Sequence, residues 1–397
     1  MKELRQSQRR FCAIIIGLVF LFSGILKLMD PVGTKLIVEG YLKFFHVAFL
    51  SPAAMVFGLV LSLTEALTGA ALVSGVYRKA AAWSSMVLLL FFTAVTFILW
   101  VSGSKMECGC FGEAIHLTPF QSFLKNGILL LLWAGAFLPL RELQDARGHK
   151  YVCFWIVAVS MAAFMTWSLL HIPLVDFTPF NLSSRLAVAE EADPAGAGND
   201  QIVVFIYEKN GQQGSFNIDN LPDSTWTFVR QEMLSKEDNI RETSFPSLPI
   251  FNESGATLDS LAAGPLVLAI SVYEPEEMSQ KQWEDAADLL ADAAANGFRP
   301  LLLVSSGNYV LPDSRQFPPV YRSDYKTLIS LNRSNGGASY FNEGNLIQKW
   351  SWRQYDDVHP QWIASADATE TMITASTRGR LTFQAFLLYT LALLLIL

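Results

Sequence analysis

Two cysteines separated by one glycine, Cys108-Gly109-Cys110, are the residues of this chain best suited to chemistry. They lie in a short segment between two long apolar stretches. A disulfide between such close cysteines closes a very small ring, and strained, exposed disulfides are the easily reduced ones. The sequence therefore predicts thiol–disulfide exchange, with a structural disulfide and metal or persulfide binding as the alternatives.

The metal alternative has little support around the cysteine pair. His116 is the nearest further ligand, no fourth ligand is visible, and the spacing matches no usual structural zinc pattern. We therefore assign no metal site, and we take Cys108 and Cys110 as the predicted catalytic residues.

The composition indicates a membrane protein, because 51% of the 397 residues are hydrophobic and only 16% are charged. Five apolar stretches each approach the ~20 residues that a helix needs to cross a bilayer. They are Phe11–Met29, Ala53–Gly75, Ala80–Gly103, Phe120–Leu140 and Tyr151–Ile172. Leu381–Leu397 is predicted as a sixth span, with an end helix packed on its neighbours as the alternative.

Lysine and arginine predict the orientation, since they concentrate in cytoplasmic loops. They occur before the first span, between the second and third, and between the fourth and fifth: Lys2, Arg5, Arg9, Arg10, Arg78, Lys79, Arg141, Arg147 and Lys150. We therefore predict a bacterial inner-membrane protein with a cytoplasmic N-terminus. The cysteine pair and the part after the fifth span would face the periplasm, while Cys12 and Cys153 would lie at cytoplasmic helix ends.

The charge distribution also bears on partners. The net charge is −7, and no basic stripe occurs outside the cytoplasmic loops, which argues against nucleic-acid binding. The expected partners are the lipid bilayer and a periplasmic client protein.

Two of the charged residues within the predicted spans are candidate site residues. Glu65 is near the centre of the second span, where a carboxyl group is costly and usually faces the bundle interior with a partner. It is predicted either as a structural hydrogen-bonding group or as a proton or ligand contact. Lys27, near the end of the first span, can extend to the outer interface, with a proton or ligand contact as the alternative.

Three motifs carry a resemblance to known proteins. Phe20–Lys27 is followed by Asp30-Pro31, a helix holds Ser62, Glu65 and Gly69, and Cys108–Gly112 precedes Leu117–Pro119. In these motifs the membrane half resembles the DoxX/MauE-like family. The resemblance implies a four-helix transmembrane bundle and an association with methylamine-utilisation maturation, quinol-oxidase subunits and periplasmic thiol redox.

The placement of a cysteine pair at the outer rim of such a bundle resembles the vitamin K epoxide reductase and disulfide-bond-formation oxidases. That resemblance implies a quinone as electron acceptor. Trp100, Phe91 and Phe92 are candidates to line its pocket, with plain lipid-facing or core packing as the alternative. The chain departs from those enzymes because it lacks their Cys-x-x-Cys motif and second loop pair.

The external half has soluble-domain composition. Thr225–Leu234 is predicted as a helix, and Pro265–Ser305 as a strand–helix–strand unit that implies parallel strands. A helix at 324–332 and a hairpin at 337–350 complete a β-α-β-α-β-β order that resembles thioredoxin. Tyr273–Glu277 replaces the thioredoxin Cys-x-x-Cys, so this domain is predicted to bind or dock a partner, or to be an inert scaffold.

The sequence thus predicts a membrane all-α region followed by an external α/β domain. The predicted parts are a DoxX/MauE-like four-helix bundle (1–150), a fifth helix (151–172), a linker (173–200), a thioredoxin-like domain without redox cysteines (201–378) and a C-terminal helix (381–397). The predicted function is thiol–disulfide oxidoreduction between Cys108–Cys110 and a periplasmic client or a quinone. The alternative is a non-catalytic membrane assembly or maturation factor whose external domain binds a partner.

Overall fold

A computed structural model describes residues 2–104, 106, 108–138, 148–182, 184–186, 201–209, 212–217, 227–235, 246–252, 254–305 and 310–397. The second half of the predicted linker, from 187 to 200, lies outside the described residues. So do Arg141 and Arg147, whose charges contribute to the predicted orientation.

The membrane part contains helices α1 to α6, and a further long helix, α10, ends the chain. Their bounds are Lys2–Met29, Pro31–Phe44, Ala54–Ser74, Arg78–Val101, Pro119–Phe137, Gly148–Leu170 and, for α10, Ala368–Ile396. Within the described residues, six helices are long and apolar enough to cross a membrane, namely all of these except α2. The chain is therefore a multi-pass membrane protein, as predicted.

The last helix is longer than predicted. It begins at Ala368, so the end of the predicted external domain at 378 lies inside α10. Asp367 explains the early start, because its side chain accepts hydrogen bonds from the backbone N–H groups of Thr369 and Glu370. The apolar run from Leu381 marks only the later part of this helix, since its first turns are polar.

Helices α1 and α3 pack closely through small residues. A Cβ added at Gly69 would lie 2.4 Å from the Leu21 nitrogen, and one at Gly24 would lie 2.5 Å from the Ala66 nitrogen. Small residues allow such close approach in membranes, where helices associate through packing rather than through the hydrophobic effect. The surrounding core also takes Val157 from α6 and Phe386 from α10.

Helix α2 lies between the membrane helices and the external domain. The Asp30 side chain caps it by accepting a hydrogen bond from the Gly33 N–H, 2.8 Å away, and Pro31 occupies its first turn. Val32 and Leu36 of α2 pack against the apolar core of the external domain.

The external domain is built on a five-stranded mixed sheet of order β6-β5-β4-β7-β8. Its elements are β4 (Val267–Val272), α7 (Gln280–Ala295), β5 (Arg299–Val304), β6 (Val320–Arg322), α8 (Tyr325–Leu331), β7 (Gly337–Asn342), β8 (Asn345–Trp350) and α9 (Pro360–Ser365). Strand β4 pairs in parallel with β5 and antiparallel with β7, which confirms the predicted strand–helix–strand unit and the hairpin. The short strand β6 is additional.

A second, three-stranded sheet precedes the five-stranded sheet along the chain. It consists of β1 (Gln201–Lys209), β2 (Gln212–Asn217) and β3 (Thr227–Ser235), in the antiparallel order β2-β1-β3. The helix predicted for Thr225–Leu234 is therefore wrong. Strand β3 pairs with β1 along nearly its whole length, and such pairing between distant segments overrides local helix propensity.

The close approach of α1 and α3 gives a stability test. We expect Gly69→Ala to destabilise the protein by about 1–3 kcal/mol, because the added methyl would force the two backbones apart. Gly127→Ala in α5 is the matched control, since an added Cβ there has no atom within 4 Å. Thermal unfolding in detergent measures both, and equal melting temperatures for the two variants would contradict the packing argument.

Candidate thiol site

The cysteine pair lies in the loop between α4 and α5, beneath α2. The Tyr41 hydroxyl of α2 donates a hydrogen bond to the Cys108 carbonyl oxygen. Gly109 has a φ of 59°, and a Cβ there would lie 2.5 Å from Ile37 of α2, so both backbone conformation and space require glycine. Cys108 is 5% exposed and Cys110 is 7% exposed.

Both cysteines are free thiols, and their side chains lie within hydrogen-bonding reach of each other. The hydrogen bond from Cys108, supported by the positive charges of Lys125 and Lys27, lowers the pKa of Cys110 to about 5 against the opposing effect of burial. The same hydrogen bond and burial raise the pKa of Cys108. The pair can therefore hold one thiolate, on Cys110, and one thiol, on Cys108.

Lys27 and Glu65 form a buried ion pair next to Cys110. The Lys27 Nζ lies 2.7 Å from Glu65 Oε1 and 3.0 Å from Oε2. The Ser23 hydroxyl lies 2.7 Å from Glu65 Oε2 and 2.5 Å from the Cys110 carbonyl oxygen, and its single proton is donated to one of them at a time. The structure thus brings the sequence-predicted residues Glu65 and Lys27 to the cysteine pair.

Two sequence expectations about this region are wrong. Lys27 does not extend to the outer interface, because its side chain is 6% exposed and pairs with Glu65. Trp100 does not line a cavity with Phe91 and Phe92. It packs instead on Phe120 and Phe123, with ring centroids 5.2 and 5.7 Å away.

An apolar cavity of about 440 Å³ adjoins the cysteine pair. Residues of α2, α3 and α4 form most of its wall, and both cysteines reach it. Phe91 and Phe92 are part of this wall. Lys27 also lines the cavity and places its ammonium 5.1 Å from the centroid of the Phe92 ring. The largely apolar lining suits a lipophilic molecule.

The residues that sequence reasoning missed are Lys125, Ser23 and Tyr41. Lys125 lies within hydrogen-bonding reach of Cys110 and places its ammonium 4.8 Å from the centroid of the Phe111 ring. A charge inside a predicted span was the available signal, since intramembrane ionisable residues are functional candidates by default. Ser23 and Tyr41 gave no comparable signal, because hydroxyl side chains are common in such segments.

Among the described residues, no group of three or more histidine, cysteine, aspartate or glutamate side chains is placed to hold a metal ion. Cys12 lies in the early part of α1, and Cys153 near the start of α6. Neither contributes to the lining of the apolar cavity.

Comparison with known proteins shows what the membrane part resembles. Residues 8–140 match the family model described as methylamine utilisation protein MauE. The chain is similar to that family over this part, which is about a third of its length. The MauE-like region includes the cysteine pair, Glu65, Lys27 and Lys125, and it ends before α6. A model described as a domain of unknown function matches residues 202–237, which contain the three-stranded sheet.

One curated protein matches part of the chain at low sequence identity. Protein TlpB of Flavobacterium psychrophilum is 25% identical over 160 residues, which are 40% of this chain and 42% of that protein. The match thus spans less than half of the relative's length. No solved structure matches the chain.

The buried ion pair gives a second stability test. We expect Lys27→Met alone and Glu65→Gln alone each to destabilise the protein by about 3–5 kcal/mol, since each change leaves a partner buried without its counter-charge. The double variant should recover part of the loss. Thermal unfolding of all four proteins forms a double-mutant cycle. Additive losses would contradict the pairing.

Proposed function

We propose that this protein is a membrane thiol–disulfide oxidoreductase of the MauE type, in which Cys108 and Cys110 exchange electrons with a periplasmic client or a quinone. The observation that carries the proposal is the pair of free thiols in mutual contact, with Lys125 beside Cys110. A thiolate stabilised by a nearby cation and a neighbouring thiol that can form a disulfide with it are the two parts that exchange requires.

The exchange with a client disulfide follows from the two pKa shifts. The Cys110 thiolate attacks one client sulfur, forming a mixed disulfide and releasing the other client sulfur as a thiolate. Cys108 then gives its proton to the released client thiolate and attacks the Cys110 sulfur, which releases the second client sulfur as a thiolate. The client gains two electrons, and the pair becomes a disulfide. The reverse sequence oxidises a client dithiol.

A quinone is the proposed alternative electron partner. Oxidation of the pair, one thiol and one thiolate, to the disulfide releases two electrons and one proton. A second proton, supplied through the Lys27 ammonium, completes the conversion of one quinone to a quinol. The apolar cavity at the pair offers room for such a ring, and Lys27 supplies a cation beside it. Lys27 and Glu65 are proposed as the groups that contact the ligand or carry its protons.

The proposal also includes the location of the protein, its orientation in the membrane and the role of the external domain. We infer an inner-membrane location, a cytoplasmic N-terminus and a periplasmic external domain, supported by the distribution of basic residues. The sheet order β5-β4-β7-β8 with a helix after β4 is compatible with a thioredoxin-like fold. Since no cysteine follows Cys153, this domain would bind or dock a partner rather than exchange thiols itself.

A second candidate function is a non-catalytic assembly or maturation factor. The burial of both cysteines favours it, because a structural pair needs no access for a client. Under this function, serine replacement of either cysteine would be tolerated, whereas removal of the external domain would not.

The redox behaviour of the pair separates the two functions. We expect thiol trapping in membranes across a glutathione series to give a reversible Cys108–Cys110 disulfide with a potential above about −300 mV. Cys108→Ser and Cys110→Ser should each abolish it, and Cys12→Ser is the matched control. A pair that stays oxidised under all but harsh reduction would favour the assembly factor.

The ionisation of Cys110 gives a pH test. The test uses a Cys12→Ser/Cys153→Ser background. Because the pKa of Cys110 is about 5, its side chain is already a thiolate at neutral pH. Its alkylation rate by N-ethylmaleimide should change little between roughly pH 6 and 8 and fall towards pH 5. Lys125→Met should move this fall to higher pH by removing positive charge, whereas Lys79→Met, at the start of α4, should not. A rate that rises steeply up to about pH 8 in the parent would show an ordinary thiol.

A further inference from the structure

Helix α2 closes the cysteine pair from the side of the external domain. Its Tyr41 hydroxyl bonds the Cys108 carbonyl, and its Ile37 side chain packs directly on Gly109. With both thiols almost fully buried, a polar reactant from the aqueous phase has no direct path to the sulfur atoms while α2 keeps this position.

The external domain holds α2 in that position through ion pairs. The Lys35 Nζ of α2 lies 3.0 Å from Glu274 Oε1, in the segment that follows β4. Tyr325 of α8 also donates a hydrogen bond to the same Glu274 oxygen, at 3.1 Å. The carboxylate that pairs with α2 is thus itself fixed by the external domain.

Arg333 connects the external domain to both α2 and the cysteine loop. Its Nε and Nη2 lie 3.1 and 3.0 Å from Asp30 Oδ2, on the residue that caps α2. Its Nη2 also lies 3.5 Å from Glu113 Oε1, in the same loop as the cysteine pair. Arg333 is 6% exposed. Without this cation, the Asp30 and Glu113 carboxylates would be left close together with no positive charge between them, a repulsion that favours separation of α2 from the loop.

The apolar cavity opens towards the membrane part of the molecule, away from the ion-paired surface. Three aromatic residues of its wall are well exposed on the membrane part, at 38% for Phe45, 45% for Phe57 and 52% for Phe91. Phe45 directly follows α2, Phe57 lies on α3 and Phe91 lies on α4, where exposed surface faces lipid. An apolar molecule dissolved in the bilayer can therefore approach the cysteine pair between these rings without crossing the ion-paired surface.

We propose that Arg333 is a specificity-determining residue: by fixing α2 over the cysteine loop, it restricts Cys108 and Cys110 to apolar reactants that enter from the bilayer and excludes polar reactants from the aqueous phase. The proposal rests on the proposed redox function for its biological meaning. A polar client then reaches the pair only after the external domain releases α2.

Alkylation by an apolar and a polar maleimide tests the proposal. The protein is the full chain in lipid nanodiscs, with its thiols reduced and in the Cys12→Ser/Cys153→Ser background. N-phenylmaleimide is the apolar probe, and a sulfonated maleimide is the polar one. The parent should react with the apolar probe and resist the polar probe. Arg333→Gln should raise the polar rate by about tenfold or more, because rates at buried sites follow the open population, and should leave the apolar rate within about twofold.

Arg315→Gln is the matched control, since it removes an exposed ion pair with Asp288 in the same domain. If Arg333→Gln does not assemble into nanodiscs, Glu274→Gln removes the other ion pair to α2 and is expected to act in the same direction. Equal polar and apolar rates in the parent, or an unchanged polar rate in the variant, would overturn the proposal.

The alkylation readout is independent of electron transfer, because it needs only reduced thiols. A pair that fails to cycle in the redox titration but shows the expected alkylation ratio would refute the oxidoreductase function and keep the role of Arg333. A pair that cycles but reacts equally with both probes would keep the oxidoreductase function and refute the role of Arg333.

Discussion

The cost of placing a charge inside a membrane governs the architecture around the cysteine pair. Glu65 is 0% exposed and Lys27 is 5% exposed, and each is tolerated there because the other lies 2.7 Å away. The close packing of α1 on α3 through Gly24 and Gly69 brings the two helices near enough for this pairing. Ser23 then connects the pair to the backbone of Cys110, so that the position of the cysteine loop depends on the same contact.

The loop receives a second constraint from outside the bundle. Helix α2 is fixed at its beginning by Asp30, which serves both as its cap and as an ion-pair partner of Arg333. The external domain is therefore attached to the membrane part at the cysteine pair rather than at a distance from it. Its loop Tyr273–Glu277, which holds no cysteine, contributes a carboxylate to this attachment instead.

The MauE-like match and the structure divide the chain in different ways. The match covers the segment from 8 to 140, whereas the structure joins α6 and α10 to that segment through an apolar core, and the external domain through several ion pairs. Lys35 of α2, for example, pairs with Glu274 of the external domain at 3.0 Å. The family likeness thus includes the site and the helix α2 that covers it, while Arg333 and Glu274, which hold α2 in place, lie outside the matched segment.

The sequence by itself determined the membrane spans, the strand–helix–strand unit and the hairpin, and it indicated Cys108 and Cys110 as the candidates for thiol chemistry. Each follows from local composition: a span needs a long apolar run, a buried strand needs a β-branched run, and two close cysteines suggest thiol chemistry. The sequence also placed Glu65 inside the bundle, since a lone carboxyl group in a span needs a partner.

Tertiary structure alone decided which residues meet. Lys27 and Glu65 are 38 positions apart, and Asp30 and Arg333 are 303 apart, so no local pattern predicts either contact. The same holds for β3, where pairing with β1 determined a strand over a segment with helical propensity. Local sequence determines which elements can form. The partner of a buried charge, and the helix that covers a thiol, depend on how distant elements pack, because the energy of a buried charge is set by its neighbours in space.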